Sequence, residues 1–284
     1  FADHPGDAEN LWIPTTREGA KAQLREFITQ RLVGFGTYED AISRRSATLF
    51  HSVLSPYLNI GLLTPKEVIS AVMDYAMCHD VPINDVEGFV RQVVGWREFM
   101  HGIYLHHRKG MRNGNIWNAQ RRMGRSWSNA TTGIPPLDGA LKNAQRYAWN
   151  HHTERLMVIA NMMNLCEIRP ADAYEFFSSN YLDAYDWVMV PNLFGMGLTS
   201  EGGTFASKPY ICGSNYMLRM SDYLKGEWCD VVDGLFWRFV EKHQTLLRCN
   251  ARASFMVQGL GRMKPERRER IFARATQFLE QNTL

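Results

Sequence analysis

Residues 87–99 read Glu87-Gly88-Phe89-Val90-Arg91-Gln92-Val93-Val94-Gly95-Trp96-Arg97-Glu98-Phe99. Phe89, Val93 and Trp96 recur at helical spacing and form a face that meets a core. Gln92, Trp96 and Arg97 place an amide, an indole and a guanidinium within about two helical turns. An amide beside a guanidinium suits an anionic, heteroaromatic ligand, because both donate hydrogen bonds to phosphate or ring carbonyls. On spacing alone the plainer reading is the stronger: an amphipathic helix with a solvated Arg and Glu.

Outward from this stretch the pattern stays helical. Residues 17–33 place Ala20, Leu24, Phe27 and Ile28 on one face, and Thr64-Pro65 opens a helix over 65–79 with a cap and a first-turn proline. The central helix is expected over 85–107. Pro135-Pro136 and Asp138 start a long helix that runs through His151 and His152 to about Cys166. Arg169-Pro170 stops it, and a further helix leads to Asn180. Five glycines in 187–215 predict an ordered irregular stretch, with helices again at 215–224, 231–247 and 264–281. No strand alternation, repeat or low-complexity linker interrupts the series, so the expected class is all-α.

Composition bounds the function. The 284 residues are 45% hydrophobic, enough for a sizeable core in one domain or two. No apolar run approaches the roughly 20 residues of a membrane span. The start at Phe1 without a secretory signal reads as a processed or partial intracellular chain, its compartment open. A net charge of +3 is too mild to argue for nucleic acid. Locally, Arg108, Lys109, Arg112, Arg121, Arg122 and Arg125 fall in 108–125 without any Asp or Glu, in a Gly- and Asn-rich stretch that reads as a loop. A solvated loop and a phosphate-facing surface explain it equally well. The basic tail 264–274 interleaves Glu266 and Glu269 and reads as a solvated helix face. Cys78, Cys166, Cys212, Cys229 and Cys249 show no metal spacing, as expected of scattered reduced thiols.

Together with Leu54-Ser55-Pro56 and Asn59-Ile60-Gly61-Leu62-Leu63-Thr64-Pro65, the 87–99 stretch closely resembles the flavin domain of photolyases and cryptochromes, nearest to the bacterial iron–sulfur (6-4) photolyases. The resemblance runs from about Thr15 to about Gln244, with several motifs in the same order. It implies a multi-helical FAD-binding domain over 1–284. In that family an α/β antenna domain comes first; nothing here matches it, and Phe1 to Gly6 resembles the segment just after the interdomain connection.

The resemblance also assigns residues. His51, Ser52, Leu54 and Ser55 match the segment that holds the flavin diphosphate, consistent with phosphate at a helix start. Gln92 and Arg97 flank the same ligand, and Trp96 walls the pocket. Asp183, in Tyr181-Leu182-Asp183-Ala184-Tyr185-Asp186-Trp187, accepts from flavin N–H groups; Asn192 lies near the reactive ring edge, and Asn161 reaches the pocket. Met189 stands where the family commonly has Glu. His151-His152 resembles the His-His element of (6-4) photolyases, expected to donate a proton to the lesion. His151 and Arg155, at i and i+4, are expected on one helix face. Tyr210, in Lys208-Pro209-Tyr210, approaches the flipped base. Taken alone, two helix histidines are more simply core or surface groups. Metal binding is the other reading, with no Cys or carboxylate at ligand spacing around the pair.

Two features depart from the family. Its four cluster cysteines correspond to positions near Pro136, Leu224, Glu227 and Asp230, none of them Cys, and cluster iron needs thiolates. No iron–sulfur cluster and no metal is therefore expected. The aromatic pair that often carries electrons to the flavin falls on Phe176 and Phe177, and phenylalanine is not readily oxidised; Trp127, Trp149 or Trp187 are the remaining routes. The function implied is light-driven repair of (6-4) photoproducts by electron transfer from reduced FAD, with damaged DNA as partner. The alternative is an inactive photolyase-derived structural or signalling subunit of a larger protein assembly.

Overall fold

A computed structural model of the chain describes residues 11–284; the Phe1–Gly6 segment lies outside them. The first helix, α1 (Arg17–Gln30), is capped by Thr16, which accepts from the Gly19 N–H. It ends before the expected residue 33. Gly34 takes φ +97°, and the buried Asp85 carboxylate accepts from the Gly34 and Gly36 N–H groups at 2.9 and 2.7 Å. Short helices α2 (Phe35–Tyr38) and α3 (Ser55–Asn59) follow. The next, α4 (Pro65–Cys78), starts in a capping box between Thr64 and Glu67.

The 87–99 stretch lies within one nearly continuous helical rod: α5 (Ile83–Val90), a π-helical segment π1 (Arg91–Trp96) and α6 (Arg97–Arg112). The rod outruns the expected 85–107. Arg108, Lys109 and Arg112 therefore sit on a helix and not in a loop. Arg112 pairs with Asp186 and Arg122 with Asp172, so part of the basic stretch is neutralised.

The long helix expected from Pro135 to Cys166 is broken. After α7 (Arg125–Ser128), α8 (Pro135–Tyr147) stops at Ala148, which adopts left-handed φ +46°. Asn150 and His151 lie in the break, and the chain resumes as π2 (Glu154–Ala160) and α9 (Asn161–Leu165). His151 therefore precedes the helix instead of sharing a face with Arg155, although its carbonyl accepts the Arg155 N–H at 3.2 Å. After α10 (Pro170–Asn180), the stretch read as irregular begins with α11 (Asp186–Val190) and π3 (Pro191–Gly197); only 198–213 is free of helix. Closing the chain are α12 (Ser214–Met220), α13 (Trp228–Lys242), α14 (Gln244–Arg248), α15 (Ser254–Gly261), which was not foreseen, and α16 (Pro265–Asn282).

Among the described residues no strand forms; the only β-type pairings are three isolated bridges. The all-α class holds. No described helix is long and apolar enough to cross a membrane. Among the described residues two large apolar cores form, one from α1–α5 and π1 around Phe27, Phe35 and Phe89, the other from the later helices around Trp127, Val158 and Leu235, with a smaller cluster of Met111, Val190 and Phe194.

Candidate functional site

The two cores do not close on each other completely. A cavity of about 790 Å³ opens between them, lined by Leu54, Phe89 and Val93 from the first core and by Phe177, Met189 and Leu193 from the second. That volume is in the range of small-molecule sites. All three π-helical segments contribute to its wall. A wide turn displaces side chains from the α-helical register, and such turns often mark functional positions.

Most residues expected at a site meet here. His51, Ser52, Leu54, Ser55, Gln92, Trp96, Arg97, His151, His152, Asp183, Asn192 and Tyr210 all line the cavity, with Lys208 and Met189. Asn161 does not. It is fully buried, its amide donates to the Cys212 carbonyl at 3.2 Å, and its Oδ1 accepts the Cys212 N–H at 2.9 Å. It positions the segment after Tyr210 instead of facing a ligand.

One wall is a clamp. Arg155 donates to both oxygens of Asp183, at 2.8 and 3.2 Å, and the Ser55 hydroxyl donates to the same carboxylate at 2.6 Å. Three of the roughly four lone-pair positions of Asp183 are thus taken, leaving about one for a ligand N–H. Asn59 donates to the Asp183 carbonyl at 3.1 Å and accepts from Arg97 at 2.9 Å. Arg97 lies over the Trp187 ring at 4.6 Å, and burial draws its pKa down. Among the described residues no carboxylate pairs with it, so the cavity carries an uncompensated cation.

Beside the clamp the wall holds three imidazoles. His51 and His151 stack at 5.0 Å with 9° between planes, and His152 stands across both. His151 is 2% exposed and neither ring nitrogen has a partner; His51 Nε2 lacks one too. Burial, and then the neighbouring positive charges, hold the His151 pKa well below its usual value and draw that of His51 down to about 3. His152 is half exposed and its Nε2 lies 3.0 Å from Asp40 Oδ1, a contact that leads the lowering of the Asp40 pKa. Below them Glu154 is buried, held by Asn150 at 2.7 Å, and burial pushes its pKa up to about 7. Sequence reading missed Asp40, which lies 112 residues before His152, and the engagement of Asp183 by Arg155 and Ser55. Neither carries a local motif.

The aromatic side chains expected to relay electrons are distributed unevenly. Trp149 and Trp187 line the cavity, as does Phe177, which stacks on Tyr181 at 5.4 Å. Trp127 is buried elsewhere, its indole N–H donating to the Asn282 carbonyl at 3.1 Å. The five cysteines are free thiols: Cys78 and Cys249 are exposed, and Cys166, Cys212 and Cys229 are buried.

No protein-family model matches the chain. It is 32% identical over 98% of its length to a (6-4) photolyase of Agrobacterium fabrum, of which it covers 57%. A bacterial class III photolyase from Agrobacterium tumefaciens superposes over 96% of the chain with a TM-score of 0.60 at 20% identity, and 58% of that structure is covered. A cryptochrome from Synechocystis sp. PCC6803 superposes over 95% with a TM-score of 0.58 at 13% identity, again covering 58% of that structure. The chain thus spans less than two thirds of these relatives. Their shared helical architecture, together with a sequence relationship that runs the length of this chain, places it in the photolyase/cryptochrome superfamily.

Proposed function

We propose that the chain is a flavin-binding photolyase domain, without an iron–sulfur cluster, that takes a flipped DNA base beside its cofactor and acts on the (6-4) photoproduct. The carrying observation is that one cavity joins the Ser52–Ser55 and Gln92–Arg97 wall to the His151, His152, Lys208 and Tyr210 wall. A ligand on the first wall and a base on the second would touch.

The residues fit FAD. The unpaired Arg97 guanidinium suits a diphosphate, with Ser52 and the Ser55 helix start beside it. Trp96 and Trp187 offer flat apolar walls to a ring system, and Asp183 keeps about one lone pair for a ring N–H. A bound, reduced flavin would supply the light-driven electron that splits the photoproduct. On the protein side, His152 Nε2 lies 3.0 Å from Asp40 Oδ1 at the half-exposed edge of the cavity, where it would donate the proton to the lesion. His151, deeply buried, is the neutral neighbour that offers an acceptor. Tyr210 and Lys208 border the entrance for the base. Arg108, Lys109 and Arg125, which have no carboxylate partner among the described residues, remain for flanking phosphates.

A second reading rests on Met189, Phe176 and Phe177: the wall lacks a carboxylate at Met189, and the aromatic pair lacks an oxidisable ring. A protein that has given up repair and serves as a subunit of a larger assembly would tolerate both. Repair of a duplex carrying one (6-4) photoproduct, with chemically reduced flavin, separates the two. We expect repair by the wild type, lost in His152→Ala and His151→Ala. Neither repair nor damage-selective binding, with the flavin demonstrably bound and reduced, would leave the subunit reading in place.

A further inference from the structure

We propose that His51, His151 and His152 form a binding site for a transition-metal dication of the Zn²⁺ or Co²⁺ type, open to the cavity on its fourth side. The ligand nitrogens of the three rings lie within 4.8 Å of one another, and no other trio of His, Cys, Asp or Glu among the described residues comes as close. Two of the three are buried, and His151 (both nitrogens) and His51 (Nε2) have no hydrogen-bond partner; Glu154 Oε2 lies 3.9 Å from His151 Nε2. A buried ring nitrogen without a partner is unfavourable, and a metal ion would satisfy one nitrogen on each of the three rings.

The surroundings follow the pattern of histidine metal sites, in which a ligating ring gives its other N–H to a carboxylate. His152 Nε2 bonds Asp40 at 3.0 Å, which leaves its Nδ1 for the metal. Three imidazoles with no thiolate and an open fourth position match zinc-type sites and not the all-oxygen sites of magnesium or calcium. Zinc–nitrogen bonds of about 2.0–2.1 Å set nitrogens about 3.3 Å apart in a tetrahedron. The rings must therefore approach by about 1.5 Å or less, and the near-parallel His51 and His151 must rotate out of stacking; both are side-chain movements. Sequence spacing could not show the site, because His51 lies 100 residues before the pair.

The three rings line the cavity assigned above to FAD, and the inference does not require the flavin to be bound. Its test is titration of the full chain, both flavin-free and preincubated with FAD, with cobalt(II) and zinc chlorides. We expect one equivalent of Co²⁺ to bind with the visible absorption of a four- or five-coordinate ion and to be displaced by Zn²⁺. His51→Ala and His152→Gln should each weaken binding tenfold or more, Asp40→Asn about 10- to 100-fold, and His106→Ala/His107→Ala on the exposed face of α6 not at all. Because His152 is half exposed, His152→Gln keeps the proposal testable should His51→Ala fail to fold. Absence of a stoichiometric Co²⁺ band in the wild type, or a band that survives His152→Gln with the circular dichroism unchanged, would overturn it.

Discussion

Arg97 shows how much a single side chain can decide. Its hydrogen bonds go to Asn59 and the Leu58 carbonyl, both neutral, and its charge faces the cavity without an acid. An anion that binds there gains a charge-assisted partner of about 1.5–3 kcal/mol. Arg97→Ala should therefore weaken FAD binding by about ten- to a hundredfold, measured by fluorescence titration of the flavin-free protein. Unchanged affinity would move the diphosphate away from this wall. Phe176 bears on electron supply. It lies 6.4 Å from Tyr181 and 5.5 Å from Phe177, which itself lines the cavity. Phe176→Trp would put an oxidisable ring into that cluster and should speed blue-light reduction of bound flavin by an external reductant. If the wild type already reduces quickly, Trp149 or Trp187 is the carrier, since both reach the cavity. These positions were partly legible: Arg97 and Trp96 through the family resemblance, since spacing alone favoured a solvated helix face, and the Phe pair by its residue type. Asp183 was legible only as a ligand, because nothing local shows that Arg155 and Ser55 would take most of its lone pairs.

At the level of elements, helix starts were readable and helix interruptions were not. Thr64-Pro65 and Arg169-Pro170 mark α4 and α10 because a cap or a proline acts within one turn. The break after Tyr147 leaves no such mark: Ala148 is a good helix former that adopts a left-handed conformation because the chain must turn there. Its carbonyl accepts from the Leu182 N–H at 3.0 Å, and the turn delivers Asn150 and His151 to the cavity. Tertiary contacts have overridden local preference. The same holds at π3, where glycines read as loop signals lie within a helix; a Cβ placed on Gly197 would come 3.0 Å from Ala160 Cβ on π2, so a side chain there would crowd the wall. Glycine adopts the left-handed region freely, whereas alanine is strained there. Ala148→Gly should accordingly raise stability by about 0.5–1 kcal/mol, seen as a higher urea midpoint with an unchanged slope. A loss of stability would mean that the residue does not hold this conformation in solution.

Across the whole molecule, the cavity exists because two apolar cores meet over a polar seam, and polar clasps tie the later core together. Glu167 is one of them. It follows α9 at φ +56°, its carbonyl accepts the Arg121 N–H at 3.0 Å, and its carboxylate accepts from Lys242 and from His243 Nε2 at 3.3 Å on the end of α13. Burial pushes the carboxyl upward, but the bonds from His243 and Lys242 outweigh it, and the net pKa falls below the ordinary 4.5. A carboxylate depressed in the folded state contributes stability that is fully present above its unfolded value and disappears as pH falls through the folded one. The clasp should therefore hold at neutral pH and fail as the medium is acidified from pH 4.5 downward. Glu167→Gln keeps the shape but not the charge. It should lower the unfolding free energy at neutral pH by about 1–2 kcal/mol, the margin between charge-assisted and neutral hydrogen bonds. Urea unfolding of both proteins over a pH series should show this gap closing below pH 4.5. A gap that stays constant down the series would mean that the carboxylate charge carries none of the tie between α9 and α13, leaving apolar packing around Trp117, Phe239 and His243 to hold that side of the cavity.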